Sequence, residues 1–329
     1  MAVLILSRAE VESLLDPDEL VDALAEAMVD LSSGRASMPP RVAALVAEHE
    51  GLLGVMPAWL PSAGMLEAKL VSLFPGNAGT AVPTHQAVIV AFDPRTGTPA
   101  ALLDGTGITA IRTAAGSALA TRVLAREDAS VLAILGTGVQ AGAHAVAVSR
   151  VRPFHEIRVA GRNPELASVL EADLGGRLGM PVAAAPSFEE AARGADVVCA
   201  TTHSPDPVLA RDWLSPGTHV NSVGVNPAGR ELDRETVRDA LVVVESRESA
   251  LSPGPAGAND LVWSIRDGDL DPADIAEIGE VLSGTRPGRE SPDQLTLYKS
   301  VGVAVQDAAA AALVLRAARE RGLGTDIDI

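Results

Sequence analysis

The feature that most constrains the fold of this chain is a short apolar run that leads directly into a glycine-rich turn. Residues 131–135 are all apolar, and residues 136–141 follow with the spacing G-x-G-x-x-A before a helical pattern. This order of strand, turn and helix is typical of a dinucleotide-binding Rossmann unit. Gly136 permits the tight turn, Gly138 lets the backbone approach a pyrophosphate, and Ala141 allows helix and strand to pack closely.

The start of the predicted helix supplies the phosphate-binding chemistry. Unpaired N–H groups and the positive end of the helix dipole attract anions at such a position. The predicted cofactor contacts in this turn are Gly136, Gly138, Val139 and Gln140. The alternative is a glycine-rich turn in an α/β protein that binds no nucleotide, because the spacing alone is a weak signal.

Five more short apolar runs follow this turn, separated by helical or loop segments. The predicted strands are residues 157–160, 182–184, 197–200, 219–223 and 241–244. Short runs that alternate with helices predict a doubly wound, mostly parallel sheet covered on both faces. After Pro253 the chain becomes loop- and glycine-rich, and a final helix is predicted over residues 301–321, before a short acidic tail.

The segment before the glycine turn has a different pattern. Ser7 and Glu10 have capping-box spacing, apolar residues recur at helical spacing between residues 20 and 31, and Gly34 is a plausible stop. Residues 66–103 predict antiparallel strands with a turn at residues 93–97, and residues 107–126 predict a long helix. We therefore expect two domains, residues 1–117 plus 301–329 and residues 118–300, in an α/β fold.

The end of the second strand bears on the choice of cofactor. Gly161-Arg162-Asn163 stands where an NAD-preferring site usually has Asp or Glu for the ribose hydroxyls. Arg162 can instead hold a 2′-phosphate, so NADP(H) is favoured over NAD(H). The alternative is that Arg162 only faces solvent. Gly161, Arg162 and Asn163 are all predicted cofactor contacts.

Composition excludes several classes of protein. With 26 basic and 43 acidic residues the formal charge is −17, which argues against a nucleic-acid partner. The single cysteine, Cys199, excludes a disulfide framework and a cysteine-based zinc site, and the spacing of the six histidines predicts no metal. No apolar run is long enough to span a membrane, and the N-terminus lacks the features of a signal peptide. We expect a cytoplasmic protein.

Lysine is scarce in this chain, with Lys69 and Lys299 among 26 basic residues. Where only surface charge is needed, arginine can replace lysine. A lysine that remains is more often found where a compact, titratable ammonium is required. This scarcity favours a chemical role for Lys69.

Seven segments, in order, resemble the ornithine cyclodeaminase/mu-crystallin family, and the resemblance covers nearly the whole chain. They are residues 83–87 (PTHQA), 104–105 (DG), 109–115 (TAIRTAA), 136–140 (GTGVQ), 221–224 (NSVG), 230–233 (RELD) and 298–302 (YKSVG). The resemblance implies a Rossmann domain inserted in a second α/β domain, which binds substrate and forms a homodimer through its sheet. It also implies enzymes that act on small imino or amino acids.

The resemblance also implies a set of site residues. Arg41, Lys69 and Arg112 match carboxylate-binding residues, and Met56 lies in a substrate-binding motif. Lys69 can also donate a proton. The implied contacts of the nicotinamide end are Thr84, Arg112, Thr113, Thr202, Val223, Asn226 and Lys299. Lys299 has the alternative role of capping the final helix, and His85 could lie near the active site or be structural.

Two departures from the cyclodeaminases narrow the expected activity. Asn226 stands where they have an acid/base Asp, and Gly54 and Val55 precede Met56 where they have a Glu. An amide cannot take up a proton at neutral pH. We therefore expect catalysis by Lys69, Arg112 and Asn226 of the NAD(P)H-dependent reduction of a cyclic ketimine such as Δ1-pyrroline-2-carboxylate. Ornithine or lysine cyclodeamination, alanine-type amino-acid dehydrogenation and non-enzymatic binding remain alternatives.

Overall fold

The computed structural model describes residues 2–254 and 256–328. These fall into two compact units, each with one β-sheet: Met1–Arg112 with Val303–Ile329 (the first unit), and Thr113–Gly302 (the second unit). The predicted domain boundaries, after residues 117 and 300, stay a prediction; the unit borders lie a few residues away from them.

The described residues form 15 β-strands and 11 α-helices. The first part of the chain contains β1 (Ala2–Leu6), α1 (Arg8–Leu14), α2 (Pro17–Ser32), β2 (Val42–Val46), β3 (Gly51–Leu60), β4 (Met65–Leu73), β5 (His85–Phe92), β6 (Pro99–Asp104) and α3 (Gly105–Leu124). The middle part contains β7 (Val131–Leu135), α4 (Val139–Val148), β8 (Glu156–Ala160), α5 (Pro164–Leu178), β9 (Val182–Ala184), α6 (Phe188–Ala192), β10 (Val197–Ala200), β11 (His219–Ser222), α7 (Arg234–Asp239) and β12 (Leu241–Val244). The last part contains α8 (Arg247–Ala250), α9 (Asn259–Arg266), β13 (Ala276–Glu277), α10 (Ile278–Leu282), β14 (Thr296–Lys299), α11 (Ala304–Arg321) and β15 (Thr325–Asp328). Short 3-10 helices cover Ala47–His49, Pro75–Asn77, Arg211–Trp213 and Pro272–Asp274.

The sheet of the first unit is mixed, in the order β15-β1-β6-β5-β4-β3-β2. The β1–β6 pair is parallel, and every other neighbouring pair is antiparallel. The predicted antiparallel strands are thus present as β4, β5 and β6. The acidic tail forms the edge strand β15, whose side chains are exposed, and exposure explains why no apolar pattern predicts it.

Helices α1, α2 and α11 bury one face of this sheet. The capping box of Ser7 and Glu10 starts α1, as predicted. Helix α11 packs against β3, β4 and α2, and most of its alanines, such as Ala308 and Ala311, are completely buried. Small side chains let the helix approach the sheet closely. The helix begins at Ala304 rather than residue 301, because Gly302 has a φ of 71°, outside the helical region.

The second unit contains a parallel sheet in the order β13-β12-β14-β11-β10-β7-β8-β9. The five strands from β9 to β11 have the 3-2-1-4-5 order of a doubly wound Rossmann sheet. All six predicted apolar runs are strands, so the predicted fold class is confirmed.

Two strands of this sheet, β13 and β14, were not predicted. Strand β14 lies between β11 and β12, in the interior of the sheet, yet it begins with Thr296 and ends with Lys299. Both polar side chains have internal partners: Thr296 Oγ1 lies 2.9 Å from His219 Nδ1, and Lys299 forms an ion pair with Asp260. Satisfied polar groups interrupt the apolar run by which a buried strand is recognised.

Within the described residues, no helix combines the length and apolarity needed to cross a membrane.

Candidate active site

The glycine-rich turn between β7 and α4 leaves open space at the helix N-terminus. Gly136 has a φ of 129°, and a Cβ there would lie 2.6 Å from Thr201 Oγ1. Gly138 is the N-cap of α4, and a Cβ at this position would meet no atom within 4 Å. Only glycine suits the first position, and the second leaves room for a ligand against the backbone.

Unsatisfied polar groups face this turn. The N–H groups of Val139 and Gln140 begin α4 and have no intrahelical carbonyl to which they can donate. Among the described residues, Gln140 Oε1 is also buried without a hydrogen-bond partner. Free donors at a helix N-terminus suit a pyrophosphate, so the residues present fit a dinucleotide.

The turn between β8 and α5 lies beside it, because β7 and β8 are paired. A Cβ on Gly161 would lie 2.5 Å from Thr137 Cγ2, so glycine is needed for the two turns to approach. Asn163 caps α5 and accepts a hydrogen bond of 2.9 Å from Glu165 N. Arg162 is exposed at the end of the strand, where a guanidinium can reach a ligand.

The next strand ends carry further predicted contacts. Thr202 follows β10, Val223 follows β11, and the carboxyl ends of neighbouring parallel strands meet at one edge of the sheet. The Asn226 side chain lies in the following loop, where its Nδ2 donates to His203 O (2.9 Å) and its Oδ1 accepts from Ala228 N (2.9 Å). The amide therefore has a role in shaping this loop, and a role in catalysis stays a prediction.

A buried carboxylate that the sequence did not single out holds these strand ends together. Glu231 accepts hydrogen bonds from Thr202 N and Oγ1, from Ser222 Oγ and from Gly224 N, at 2.7 to 2.9 Å. Four bonds to one carboxylate fix the start of the loop that carries Asn226.

Lys299 is fully buried in the same region. Its Nζ donates to Ser222 Oγ (2.9 Å) and Gly224 O (2.6 Å), and it lies 2.9 Å from Asp260 Oδ2. The ammonium thus connects β14 to the loop after β11. A direct contact between Lys299 and a cofactor stays a prediction.

In the first unit, Lys69 and Arg112 share one buried carboxylate. Lys69 Nζ lies 3.2 Å and Arg112 Nε 3.0 Å from Asp307 Oδ1, and Arg112 Nη1 donates to Gln306 Oε1 at 2.9 Å. The three charged side chains, from β4, α3 and α11, are 95% or more buried. The structure therefore brings together two of the three predicted carboxylate-binding residues. We call Lys69, Arg112, Asp307 and Glu67 the cationic cluster.

Burial changes the proton affinities in this cluster. Desolvation lowers the pKa of Lys69 to about 8, against the opposing effect of Asp307. Desolvation, reinforced by Asp307, raises the pKa of Glu67 to about 9. His85, at the start of β5, has a pKa lowered to about 4 by burial and then by Lys69 and Arg112. An ammonium that titrates near neutrality is suited to proton transfer.

The other predicted substrate residues, Met56 and Arg41, and the predicted cofactor contacts Thr84 and Thr113 are on or beside β2, β3, β5 and α3. Met56 is the cross-strand neighbour of Lys69 and is buried. Arg41 is half-buried and directly precedes Val42, whose partner Val55 directly precedes Met56. Thr84 is exposed before β5, and Thr113 is half-buried in α3. Their contacts with ligands stay predictions.

Three functional candidates in this unit were not predicted from the sequence: Glu67, Gln306 and Asp307. Glu67 had a usable signal, because residues two apart on a strand point to the same face, and Lys69 was already a candidate. Gln306 and Asp307 lie far along the chain in an alanine-rich helix. Only the fold brings them to β4.

The remaining titratable candidates are buried and inert. Burial raises the pKa of the Cys199 thiol to about 12 and lowers the pKa of His144 to about 4 and of His219 to about 3. Over the described parts of the chain, no group of three His, Cys, Asp or Glu side chains is placed to hold a metal ion.

The doubly wound sheet and its open glycine turn define a class of dinucleotide-binding α/β proteins. The chain belongs to the ornithine cyclodeaminase/mu-crystallin family, whose model matches residues 1–322.

Three relatives illustrate this membership. The mouse ketimine reductase mu-crystallin is 40% identical over 94% of this chain and 95% of its own length. The structure of Thermococcus litoralis Δ1-pyrroline-2-carboxylate reductase in complex with NADH and L-proline is 37% identical, with a TM-score of 0.94 over 99% of this chain and 100% of that one. An archaeal alanine dehydrogenase dimer with bound NAD is 35% identical, with a TM-score of 0.92 over the full length of both chains.

Proposed function

We propose that this protein is an NAD(P)H-dependent reductase of cyclic α-ketimines, with Δ1-pyrroline-2-carboxylate, reduced to L-proline, as the model substrate. The observation that carries the proposal is the pair Lys69 and Arg112 held on one buried Asp307. A reductase of this imino acid is among the similar solved structures.

The cationic cluster suits an imino-acid substrate. Arg112 offers a planar fork that matches a carboxylate, and Lys69 adds a second positive charge. With a pKa lowered to about 8, the Lys69 ammonium can give a proton to the ring nitrogen near neutral pH. A bound nicotinamide cofactor supplies the hydride. Arg41 and Met56 complete the proposed substrate contacts, and Asn226 orients substrate or cofactor.

We propose NADP(H) as the preferred form of the cofactor. Arg162 is exposed at the end of β8, and residues 160–163 contain no acid that would bind the ribose hydroxyls and repel a 2′-phosphate. The reductase and the alanine dehydrogenase of similar structure carry NADH and NAD. The preference for NADP(H) therefore rests on Arg162 of this chain and not on these two relatives.

We also propose a cytoplasmic homodimer formed through the sheet of the first unit. The face of this sheet opposite to Lys69 bears Val55, Leu70 and Val88 in one cross-strand row. An antiparallel sheet with one solvated face normally has polar residues there. An apolar second face fits another copy of itself, and the similar archaeal alanine dehydrogenase is a dimer.

One alternative function has a specific observation in its favour. The archaeal alanine dehydrogenase matches this chain over its full length, and an α-imino acid formed from pyruvate and ammonia would offer the same carboxylate to Lys69 and Arg112. Cyclodeamination is less favoured, because the Asn226 amide cannot act as a general acid or base at neutral pH.

The experiment is oxidation of NADPH and NADH, followed by absorbance, with Δ1-pyrroline-2-carboxylate, with its six-membered analogue, and with pyruvate plus ammonia. We expect the cyclic ketimines to be reduced with a kcat/KM at least about tenfold above that for pyruvate and ammonia, and faster with NADPH. Ammonia release from ornithine is measured alongside. No oxidation of either cofactor by a cyclic ketimine would contradict the proposal.

A further inference from the structure

Glu67 is a buried carboxyl group that the proposed reaction does not use. It lies on β4 two residues before Lys69, so both side chains point to the face covered by α11. Its relative exposure is 1%. Among the described residues, neither Glu67 oxygen has a hydrogen-bond partner.

The surroundings of Glu67 offer no group that would pair fully with a negative charge. The residues paired with Glu67 on the neighbouring strands are Ala58 on β3 and Ala91 on β5. The charged groups that act on it are Asp307 from α11, Lys69 from its own strand and Arg112 from α3. Both cations already contact Asp307 Oδ1, and an unpaired buried carboxylate is very unfavourable.

Asp307 supplies the complementary observation. Its Oδ2 is buried and, within the described parts of the chain, has no hydrogen-bond donor. A neutral Glu67 has one O–H to donate, and the second Asp307 oxygen is an acceptor without a donor. A proton on Glu67 removes an unpaired negative charge from a site in which the Asp307 Oδ2 atom is already without a donor.

The charge of the cluster depends on this proton. With Glu67 ionised, the two cations and two carboxylates sum to zero, and a substrate carboxylate meets no net attraction. With Glu67 neutral, Lys69, Arg112 and Asp307 leave one positive charge, which one substrate carboxylate neutralises.

We propose that Glu67 is held as a neutral carboxylic acid at neutral pH and thereby keeps the cationic cluster at a net charge of +1 for the substrate. The second half of this inference rests on the proposed function, because it concerns an anionic substrate. The assignment of the proton to Glu67 does not depend on the proposed function.

The direction of the pKa shift agrees with this arrangement. Burial and the adjacent Asp307 raise the pKa of Glu67 to about 9, so the acid is neutral below that value and ionises as the pH rises through it. Because Lys69, with a pKa of about 8, has largely lost its proton by then, ionisation of Glu67 makes the net charge of the cluster negative. Affinity for a carboxylate ligand falls above this pH, in addition to the loss caused by deprotonation of Lys69.

The test compares the wild type with Glu67→Gln, which keeps the shape and a donor but cannot ionise. The infrared difference spectrum between the two at neutral pH should contain the C=O stretching band of a protonated carboxylic acid. The matched control, Glu235→Gln, removes an exposed carboxylate and should show no such band. If the difference spectrum between the wild type and Glu67→Gln lacks this band, the proposal is overturned.

L-Proline binding in the presence of cofactor gives the second readout. At neutral pH the affinity of Glu67→Gln should stay within about threefold of the wild type, and it should fall less steeply than the wild type as the pH is raised through about 9. A change above about tenfold at neutral pH, or an identical pH profile, overturns the role in substrate binding.

Two further outcomes separate the inference from the proposed function. An acid band in a protein that does not bind L-proline supports the proton on Glu67 and contradicts the proposed function. If Glu67→Gln does not fold, Glu67→Met, which is uncharged and of similar length, replaces it in the infrared comparison. The same band must then be lost.

Discussion

Lys69 is a completely buried ammonium that shares its ion-pair partner, Asp307, with Arg112. Desolvation outweighs the attraction of Asp307 and lowers the pKa of Lys69. A cation that is easily deprotonated is better placed to give a proton than to act as a permanent anchor. Arg112, which stays charged, is the better anchor.

We therefore expect Lys69→Met to lower kcat for a cyclic ketimine by about 100-fold or more, the usual contribution of general acid catalysis. Cofactor affinity, measured by fluorescence titration, should be unchanged, because the glycine turn is in the second unit. The matched variant Lys69→Arg keeps the charge but does not titrate, so it should retain substrate affinity better than turnover. Near-normal turnover of Lys69→Met would remove this residue from the mechanism.

The role of Lys69 as proton donor predicts the direction in which kcat/KM changes with pH. The pKa of Lys69 is lowered to about 8, so the cation is present below that pH and is lost as the pH rises through it. In the wild type, kcat/KM should decline over that range, and this decline should be missing from the residual activity of Lys69→Met.

Among the residues of the cationic cluster, the sequence predicts the two cations better than the two carboxyl groups. Arg112 lies in a family motif and Lys69 is one of only two lysines, whereas Asp307 is one of 43 acidic residues with no motif around it. Its importance comes from burial beside two cations, which is a property of packing. Glu67 could be placed on the same strand face as Lys69 from their spacing, but nothing in the local pattern says that α11 covers this face.

Among the elements, the turns after β7 and β8 set the geometry of the dinucleotide site. Gly161 and Thr137 approach so closely that a single methyl group decides whether the turns fit. Such a contact is rigid, because the Thr137 methyl group is on a short, branched side chain.

Gly161→Ala should therefore destabilise the second unit by about 1–3 kcal/mol, as overpacking does, and weaken cofactor binding. Thr137→Ser removes the Cγ2 that the new methyl group would meet. The double variant should recover most of the stability, as measured by thermal unfolding, while Thr137→Ser alone should be close to neutral. Equal destabilisation of the single and double variants would show that this contact is not the cause.

Strands could be predicted from the sequence where a buried strand is a short apolar run. The strands from β7 to β12 are short apolar runs with loops at their ends, and they were all found. Strand β14 was missed because its Thr296 and Lys299 are polar, and their partners His219 and Asp260 are distant in sequence. A buried strand with paired polar residues looks like a loop until the pairs are known.

At the scale of the whole molecule, the uncovered face of the first sheet has the chemistry of an interface. Val88 is 38% exposed at the end of the apolar row with Val55 and Leu70, beside Asp104 on β6. A lysine placed there would have to be desolvated on association, and its acidic cross-strand neighbour, Asp104, already accepts a hydrogen bond from Gly107 N.

Val88→Lys should convert a wild-type dimer to a monomer at micromolar concentration, as measured by light scattering or sedimentation. The control is Val169→Lys, because Val169 is more exposed (66%) but lies on α5 in the second unit. This variant should remain dimeric. A wild-type monomer, or a Val88→Lys dimer of undiminished stability, would contradict the proposed assembly.

The nesting of the units also has a consequence for biosynthesis. In the first unit, β1 pairs with β15, and α11 covers β3 and β4, so the early strands lack their cover until the last part of the chain leaves the ribosome. The second unit has all of its strands before that point. Although domains commonly fold in order from the N-terminus, here the inserted unit can fold first. Until α11 and β15 have been synthesised, the unfinished first sheet is the part of the nascent chain most in need of a chaperone.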